Sequence, residues 1–283
     1  MRSITGPAGS GLDSLDDWPG TTRGAGWVAR DGGGAVAGDS AAELPLASVT
    51  KVLTSLAVLV AVEEEVLALD EAAGPPGSTV RLLLAHASGL PFDGRTPIAP
   101  PGQRRIYGNA AFEVLGELLT ERTGMPAGRY ITEAVCQPLG MSDTTVPGSP
   151  AASGRGTVED LLRLGAELLA PATILSPETV AQATAVHLPD LDGVLPGWGR
   201  HRPNPWGLGL EVHGTKRPHW MPEEASPRAF GHFGQSGSFL WVDPDAGVAC
   251  AGLSDAGFGD WARTAWPLLG RDVLAAAGSG RST

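Results

Sequence analysis

"LASVTKVLTSLAVLV" (residues 46–60) is the most apolar stretch of the chain, yet it carries a lysine. Lys51 and Lys216 are the two lysines among 283 residues, against eighteen arginines. Val49, Val52, Leu53, Leu56, Leu59 and Val60 fall on nearly every side of a helix, so the spacing predicts a buried helix over residues 48–66. Ser48 and Lys51 stand three apart at its start and project from one face. A serine hydroxyl is a weak nucleophile until a base takes its proton, and an apolar setting lowers a lysine's pKa toward that task. Arginine does not deprotonate in proteins, which explains why position 51 is not one of the eighteen. The pattern by itself is common: eighteen serines and two lysines give a Ser-x-x-Lys in about one such chain in eight. Ser48 as an N-cap and Lys51 as a snorkelling helix residue would account for it without chemistry.

Outward from that helix, the chain reads as strands at both ends enclosing helices. "GAGWVARDGGGAVAG" is a hairpin from about Gly26 to Ala37. "STVRLLLAHASGLP" is a short helix running into a turn, and "NAAFEVLGELLTERTG" is an amphipathic helix ending at Gly124. "TVEDLLRLGAELLAP" opens with a capping-box-like Thr157 and Asp160, and "SPETVAQATAV" has Ser176 as cap and Pro177 in its first turn. "GSFLWVDPDAGVACAGLSD" is a pair of strands joined by a tight turn. A last helix follows over about 260–277, and "AAAGSGRST" at the end is expected to fray. The fold class is therefore mixed α/β. Residues 1–45 and 200–283 are expected to form one discontinuous α/β sheet domain, and residues 46–199 a mainly helical subdomain, with the active site at their interface.

Composition excludes several classes of function. A formal charge of -11, with no basic run, argues against a nucleic-acid partner. The N-terminal residues lack an apolar export core, and no stretch reaches membrane-spanning length, so the expected location is the cytoplasm. Cys136 and Cys250 have no metal-ligand spacing and are expected to be buried small hydrophobes; neither a metal nor an organic cofactor is expected. The run Glu63, Glu64, Glu65 reads as a solvated helix end. Lys216, in the polar "HGTKRP", reads as a surface residue.

Two further constellations join Ser48 and Lys51. "RRIYGNAAFE" places Tyr107 and Asn109 two apart just before a helix, although the chain has only two tyrosines and two asparagines. A phenol can shuttle a proton between nucleophile and leaving group, and an amide can orient an ammonium and a substrate carbonyl. Asn109 as helix N-cap and Tyr107 as a half-buried aromatic is the plainer alternative. "FGHFGQSGSFLW" places His232 and Gly234 before a strand, where the glycine would let a ligand approach a backbone N–H that could serve an oxyanion. A simple turn would use the same residues.

Together the three motifs resemble the serine β-lactamase and penicillin-binding-protein superfamily, whose Ser-x-x-Lys is a known catalytic signature. The likeness is to the class C branch, which also contains D,D-carboxypeptidases and family VIII esterases, with Tyr-x-Asn as second motif and Lys or His, then x-Gly, as third. "LLLAHASGLP", "PLGMSDT", "LSPETV" and "PWGLGLEV" follow in the family's order, so the likeness runs from about Gly26 to Asp255. The resemblance implies a β-lactamase/transpeptidase-like fold, a mainly antiparallel sheet flanked by helices plus a helical subdomain. It implies Ser48, Lys51 and Tyr107 as the catalytic residues. Asn109, His232, Gly234 and Gln235 would serve substrate and oxyanion, the latter between the N–H groups of Ser48 and Gln235.

Departures from the pattern bear on substrate. "EAAGPPGST" and "FDGRTPIAPPGQRR" are shorter than the family's usual segments, which implies a more open rim. Histidine at 232, where typical β-lactamases have lysine, shifts the expectation from drug carboxylates toward esters or peptides. The expected function is a serine hydrolase working through a Ser48 acyl-enzyme on small acyl esters. A β-lactamase or D-amino-acid peptidase, or a β-lactamase-like module that holds a ligand without turnover, are the alternatives; the lack of an export signal argues against cell-wall substrates. The expected partner is a small ester, amide or lactam. "GQSGS" misses the Gly-x-Ser-x-Gly elbow because Ser238 replaces the second glycine, while a triad built on Ser236 or Ser88 stays open by inventory. There is no P-loop, His-Glu-x-x-His or dinucleotide fingerprint.

Overall fold

The computed structural model describes residues 9–279. Its centre is a six-stranded antiparallel sheet made of β1 (Arg23–Ala29), β2 (Gly34–Gly38), β3 (Glu211–Val212), β4 (Phe230–Gly234), β5 (Ser238–Asp243) and β6 (Val248–Ser254), in the order β2-β1-β6-β5-β4-β3. Both expected hairpins form. In the β5–β6 turn the buried Asp243 carboxylate accepts from the N–H groups of Asp245 and Ala246, each at 3.0 Å, which explains why "DPDAG" turns so tightly. The join between β1 and β6 has Trp27 opposite Cys250 and brings the two ends of the chain side by side. Alternation along β5 sends Leu240 and Val242 to one face and Phe239 and Trp241 to the other, and both faces are covered.

Seven α-helices surround the sheet among the described residues: α1 (Thr50–Glu63), α2 (Val80–Leu84), α3 (Ala110–Thr123), α4 (Ala127–Ile131), α5 (Val158–Leu169), α6 (Pro177–Thr184) and α7 (Asp260–Ser279). Every residue of α1 from Thr50 to Ala61 is buried, as its all-round apolar pattern requires. A single 3-10 turn, Ala47–Val49, precedes it, so the Ser48–Lys51 motif starts on a turn and the helix proper begins at Thr50. The expected end at residue 66 comes earlier, at Glu63, and Glu63, Glu64 and Glu65 are exposed. Helix α3 stops at Gly124, whose φ of +69° is the left-handed cap that glycine adopts most readily. Helix α6 is capped as read: Ser176 accepts from the Thr179 N–H at 3.1 Å, with Pro177 in the first turn.

Helix α5, which falls inside the stretch expected to be helical subdomain, packs on the sheet against β6, β1 and β5. Thr157 caps it by accepting from the Asp160 N–H at 3.1 Å. The Asp160 carboxylate does not return the bond to Thr157; it accepts instead from the Asp143 N–H and the Thr144 hydroxyl, each at 2.9 Å, and so ties the "PLGMSDT" segment to the helix. On the opposite face, α7 closes an aromatic layer containing Trp18, Trp220, Phe239, Trp241 and Trp266. The tail expected to fray from 275 stays helical through Ser279, because Ala277 packs into that layer; residues 280–283 lie outside the described residues, as do residues 1–8 of the N-terminal segment. No helix among the described residues is long and apolar enough to cross a membrane. Cys136 and Cys250 are buried free thiols, and burial pushes both pKa values up.

Candidate active site

Lys51, fully buried, is the centre of the constellation. Its Nζ lies 2.8 Å from Asn109 Oδ1, 2.9 Å from the Ala151 carbonyl and 3.3 Å from Ser48 Oγ. An ammonium would donate to all three. A neutral amine has two N–H donors and one lone pair, which matches two pure acceptors and one hydroxyl able to donate. Burial lowers the Lys51 pKa to about 7, working against the carboxylates of Glu113 and Asp93, which raise it. The amine therefore changes protonation near neutrality.

The turn that carries Ser48 is clamped from several sides. Ala47 has φ +43°, a left-handed conformation that a non-glycine residue adopts at a cost of about 1–2 kcal/mol. The compensating contacts come from the β4–β5 connection and the 150–154 loop. Ser236 Oγ donates to the Pro45 carbonyl at 2.6 Å, Ser238 Oγ to the Leu46 carbonyl at 2.7 Å, and the Leu46 N–H donates to the Gly154 carbonyl at 2.7 Å. In the sequence Ser236 stands out only as a possible nucleophile, and Ser238 as a defect in a different motif. Among the described residues no serine hydroxyl bonds to a histidine; Ser88 is buried, and its Oγ accepts from the Leu90 N–H.

Gly234 also meets a demand of the fold itself. A Cβ there would collide with the Leu46 carbonyl oxygen and Ser238 Oγ, so the missing side chain makes room for the turn beside Ser48. That contact brings the end of β4 against Ala47, and the exposed Gln235 follows directly. Neither the Ser48 nor the Gln235 N–H donates to a backbone acceptor in the turns and loops of the described residues.

Asn109 occupies the N-cap position of α3, yet its side chain makes no capping bond and turns to Lys51. Tyr107, half-buried, sits with its ring centroid 5.1 Å from Lys51 Nζ. Burial raises the Tyr107 pKa, against the pull of the Ser48 hydroxyl, so at neutral pH it is a phenol. Around it stand His86, Trp206 and His232, with ring centroids 4.8, 5.7 and 5.7 Å away. His232 is buried, and its Nδ1 lies 2.7 Å from the Phe233 carbonyl, which fixes the proton on Nδ1. Burial, then the charge of Lys51, lowers the His232 pKa to about 3, so this wall presents a neutral imidazole. His86 is likewise held neutral by burial. Trp206 escapes a reading of the sequence, because nothing in "NPWGLGLEV" signals that its indole reaches Tyr107.

Lys216 overturns the expectation of a surface residue. It is buried, its ammonium paired with Glu211 on β3 and 3.4 Å from both Asn204 Oδ1 and the Pro205 carbonyl. The polar loop suggested solvent, but a carboxylate five residues earlier folds back to receive the charge. Burial alone would raise the Glu211 carboxyl; Lys216 and His219 overcome it and hold it well below the usual carboxylate range. His219 Nε2 at 2.7 Å and Trp220 Nε1 at 2.6 Å complete the carboxylate's partners. Among the described residues no group of three or more His, Cys, Asp or Glu side chains could hold a metal ion.

A buried lysine beside a serine on a clamped turn, set against the adjoining ends of β4 and β5 in an antiparallel sheet, defines a β-lactamase/transpeptidase-type architecture. The sequence model of the Beta-lactamase family matches residues 16–275, and the chain belongs to that family of serine β-lactamase and penicillin-binding-protein-like hydrolases. The crystal structure of a beta-lactamase, Mb2281c, from Mycobacterium bovis is 48% identical, covers 94% of this chain and 99% of its own, and superposes with a TM-score of 0.92. EstCE1, a hydrolase with promiscuous acyltransferase activity, has the same fold at 18% identity and TM-score 0.76, over 94% of this chain and 97% of its own. A stretch of 52 residues is 40% identical to the D-alanyl-D-alanine-carboxypeptidase/endopeptidase AmpH of Escherichia coli K12; it spans 18% of this chain and 14% of that protein.

Proposed function

We propose that the protein is a serine hydrolase that forms an acyl-enzyme on Ser48, with small neutral esters as its preferred substrates. The observation that carries this reading is the Lys51 amine, 3.3 Å from Ser48 Oγ and poised near neutral pH with two other acceptors already in place. The neutral amine takes the Ser48 proton as Oγ attacks the acyl carbon. The oxyanion that develops accepts from the N–H groups of Ser48 and Gln235. The Tyr107 phenol gives its proton to the departing alkoxide and is reprotonated from Lys51, so the pair returns to its starting charge. In deacylation the same pair withdraws a proton from water, whose oxygen attacks the acyl carbon, and returns that proton to Ser48 Oγ as the acyl bond breaks. Asn109 holds the amine, and substrate lies between Tyr107 and the β4 edge. Proton transfer passes through both Lys51 and Tyr107, and with Tyr107 a phenol at neutral pH the acid limb follows the Lys51 amine.

Neutral His232 supports the preference for esters: it offers no fixed cation to the carboxylate of a β-lactam or a peptide C-terminus. A β-lactamase or D-amino-acid peptidase is the second reading, favoured by the likeness to the Mycobacterium bovis beta-lactamase and to the Escherichia coli carboxypeptidase/endopeptidase. Labelling with a fluorophosphonate, followed by peptide mass spectrometry, tests the nucleophile, and the label is expected on Ser48. Modification of Ser88 or Ser236 with Ser48 free would overturn the mechanism. Steady release of product beyond one equivalent separates an enzyme from a module that acylates once.

A further inference from the structure

Two of the three acceptors around Lys51 trace back to one face of α3. Asn109 reaches Nζ directly. Glu113, one turn on, reaches it through the neighbouring loop: its carboxylate accepts from the Ser149 hydroxyl, Ser149 Oγ accepts from the Ala151 N–H at 3.1 Å, and the Ala151 carbonyl accepts from Lys51 at 2.9 Å. The same loop is tied to α1 on its other side, where Thr54 Oγ1 donates to the Pro150 carbonyl at 2.6 Å and the Gly154 N–H to Thr50 Oγ1 at 2.8 Å. The Glu113 carboxylate is the one charged member of this relay.

We propose that Glu113 is a positioning residue for Lys51, fixing through Ser149 the carbonyl that receives the amine and placing a negative charge behind it. The proposal rests on the reading of Lys51 as the base. The groups facing Lys51 are Glu113 from α3, Asp93 and Tyr107 from the segment before it, His86 after α2 and His232 from β4. Both imidazoles and the phenol are neutral at pH 7, and of the two carboxylates Glu113 acts on Lys51 more strongly than Asp93. Glu113 thus holds the base at a pKa where burial alone would leave it lower still.

Glu113→Gln tests this, because the amide oxygen still accepts from Ser149 while the charge is gone. Loss of one nearby carboxylate is expected to drop the Lys51 pKa by about one unit. The acid limb of the acylation rate then moves down by about one unit, and acylation at pH 6 rises about fivefold over the parent, an effect lost packing would not produce. Ser149→Ala, which cuts the relay and leaves the charge, slows acylation with the limb in place. Glu117→Gln, an exposed site on the next turn, changes neither. A second readout does not depend on turnover: with only two lysines in the chain, protein labelled with 13C at lysine Cε gives two side-chain signals, Lys216 serving as the control. A Lys51 titration that is the same in Glu113→Gln and parent overturns the proposal. A Lys51 titration that moves down while acylation shows no acid limb upholds it and overturns the role of Lys51 as base.

Discussion

Replacing Lys51 with arginine separates titratability from charge. The parent amine, with a pKa of about 7, is neutral in about a tenth of molecules at pH 6 and about nine-tenths at pH 8. Acylation should therefore rise about tenfold across that interval. Lys51→Arg keeps a cation and a long stem, but the guanidinium stays protonated, so it cannot take the Ser48 proton. The expected result is a loss of about a hundred- to ten-thousandfold in acylation rate, the usual contribution of a general base, together with loss of the acid limb. Because position 51 is fully buried, the larger head group also overpacks the site by about 1–3 kcal/mol, which urea unfolding and the near-ultraviolet circular dichroism of the surrounding aromatics would measure separately. The assay is the pre-steady-state burst from an activated ester, followed from pH 6 to 8, since the burst isolates the first chemical step. A folded Lys51→Arg variant with a near-normal burst would refute the assignment, showing that position 51 needs only a cation.

Other perturbations probe the surroundings. Lys216→Ala strands the Glu211 carboxylate in the interior, so urea unfolding should reveal a loss of about 3–5 kcal/mol; a loss under about 0.5 kcal/mol would mean the lysine behaves as a surface residue. Glu211 lies below its ordinary pKa in the folded state, so its contribution is present above about pH 4.5, fades as pH falls toward the folded value, and should shrink in Lys216→Ala. Ser238→Ala removes one of two donors to the buried Leu46 carbonyl, which keeps the Val49 N–H, for about 0.5–1.5 kcal/mol of stability and slower labelling of Ser48 by fluorophosphonate; unchanged labelling would detach Ser238 from the turn that carries Ser48. Side-by-side kinetics should give faster turnover of short activated esters than of cephalosporins, and efficient cephalosporin hydrolysis without esterase activity would reverse the two readings.

Features that depend on neighbours a few residues apart are legible in the sequence. The all-round apolar run of α1, the caps at Thr157 and Ser176, the turn at Asp243 and the Ser48–Lys51 spacing are local, and each forms, although α1 itself is shorter than its pattern at both ends. The likeness of three short motifs to one family carried the architecture. The rest depends on contacts between distant parts of the chain. The pairing of β1 with β6 joins residues more than two hundred positions apart, and no periodicity in either strand encodes its partner. Lys216 looked solvated because its loop is polar, but its environment is set by Glu211 on a sheet edge that local pattern cannot place. Gly234 is required by the Leu46 carbonyl and the Ser238 hydroxyl, and Ser238 bonds that same carbonyl, a contact between residues 192 positions apart. The pKa of Lys51 was only a direction in the sequence, a lysine among apolar side chains. Its value near neutrality comes from burial by the whole fold, set against two carboxylates that the chain brings from residues 93 and 113.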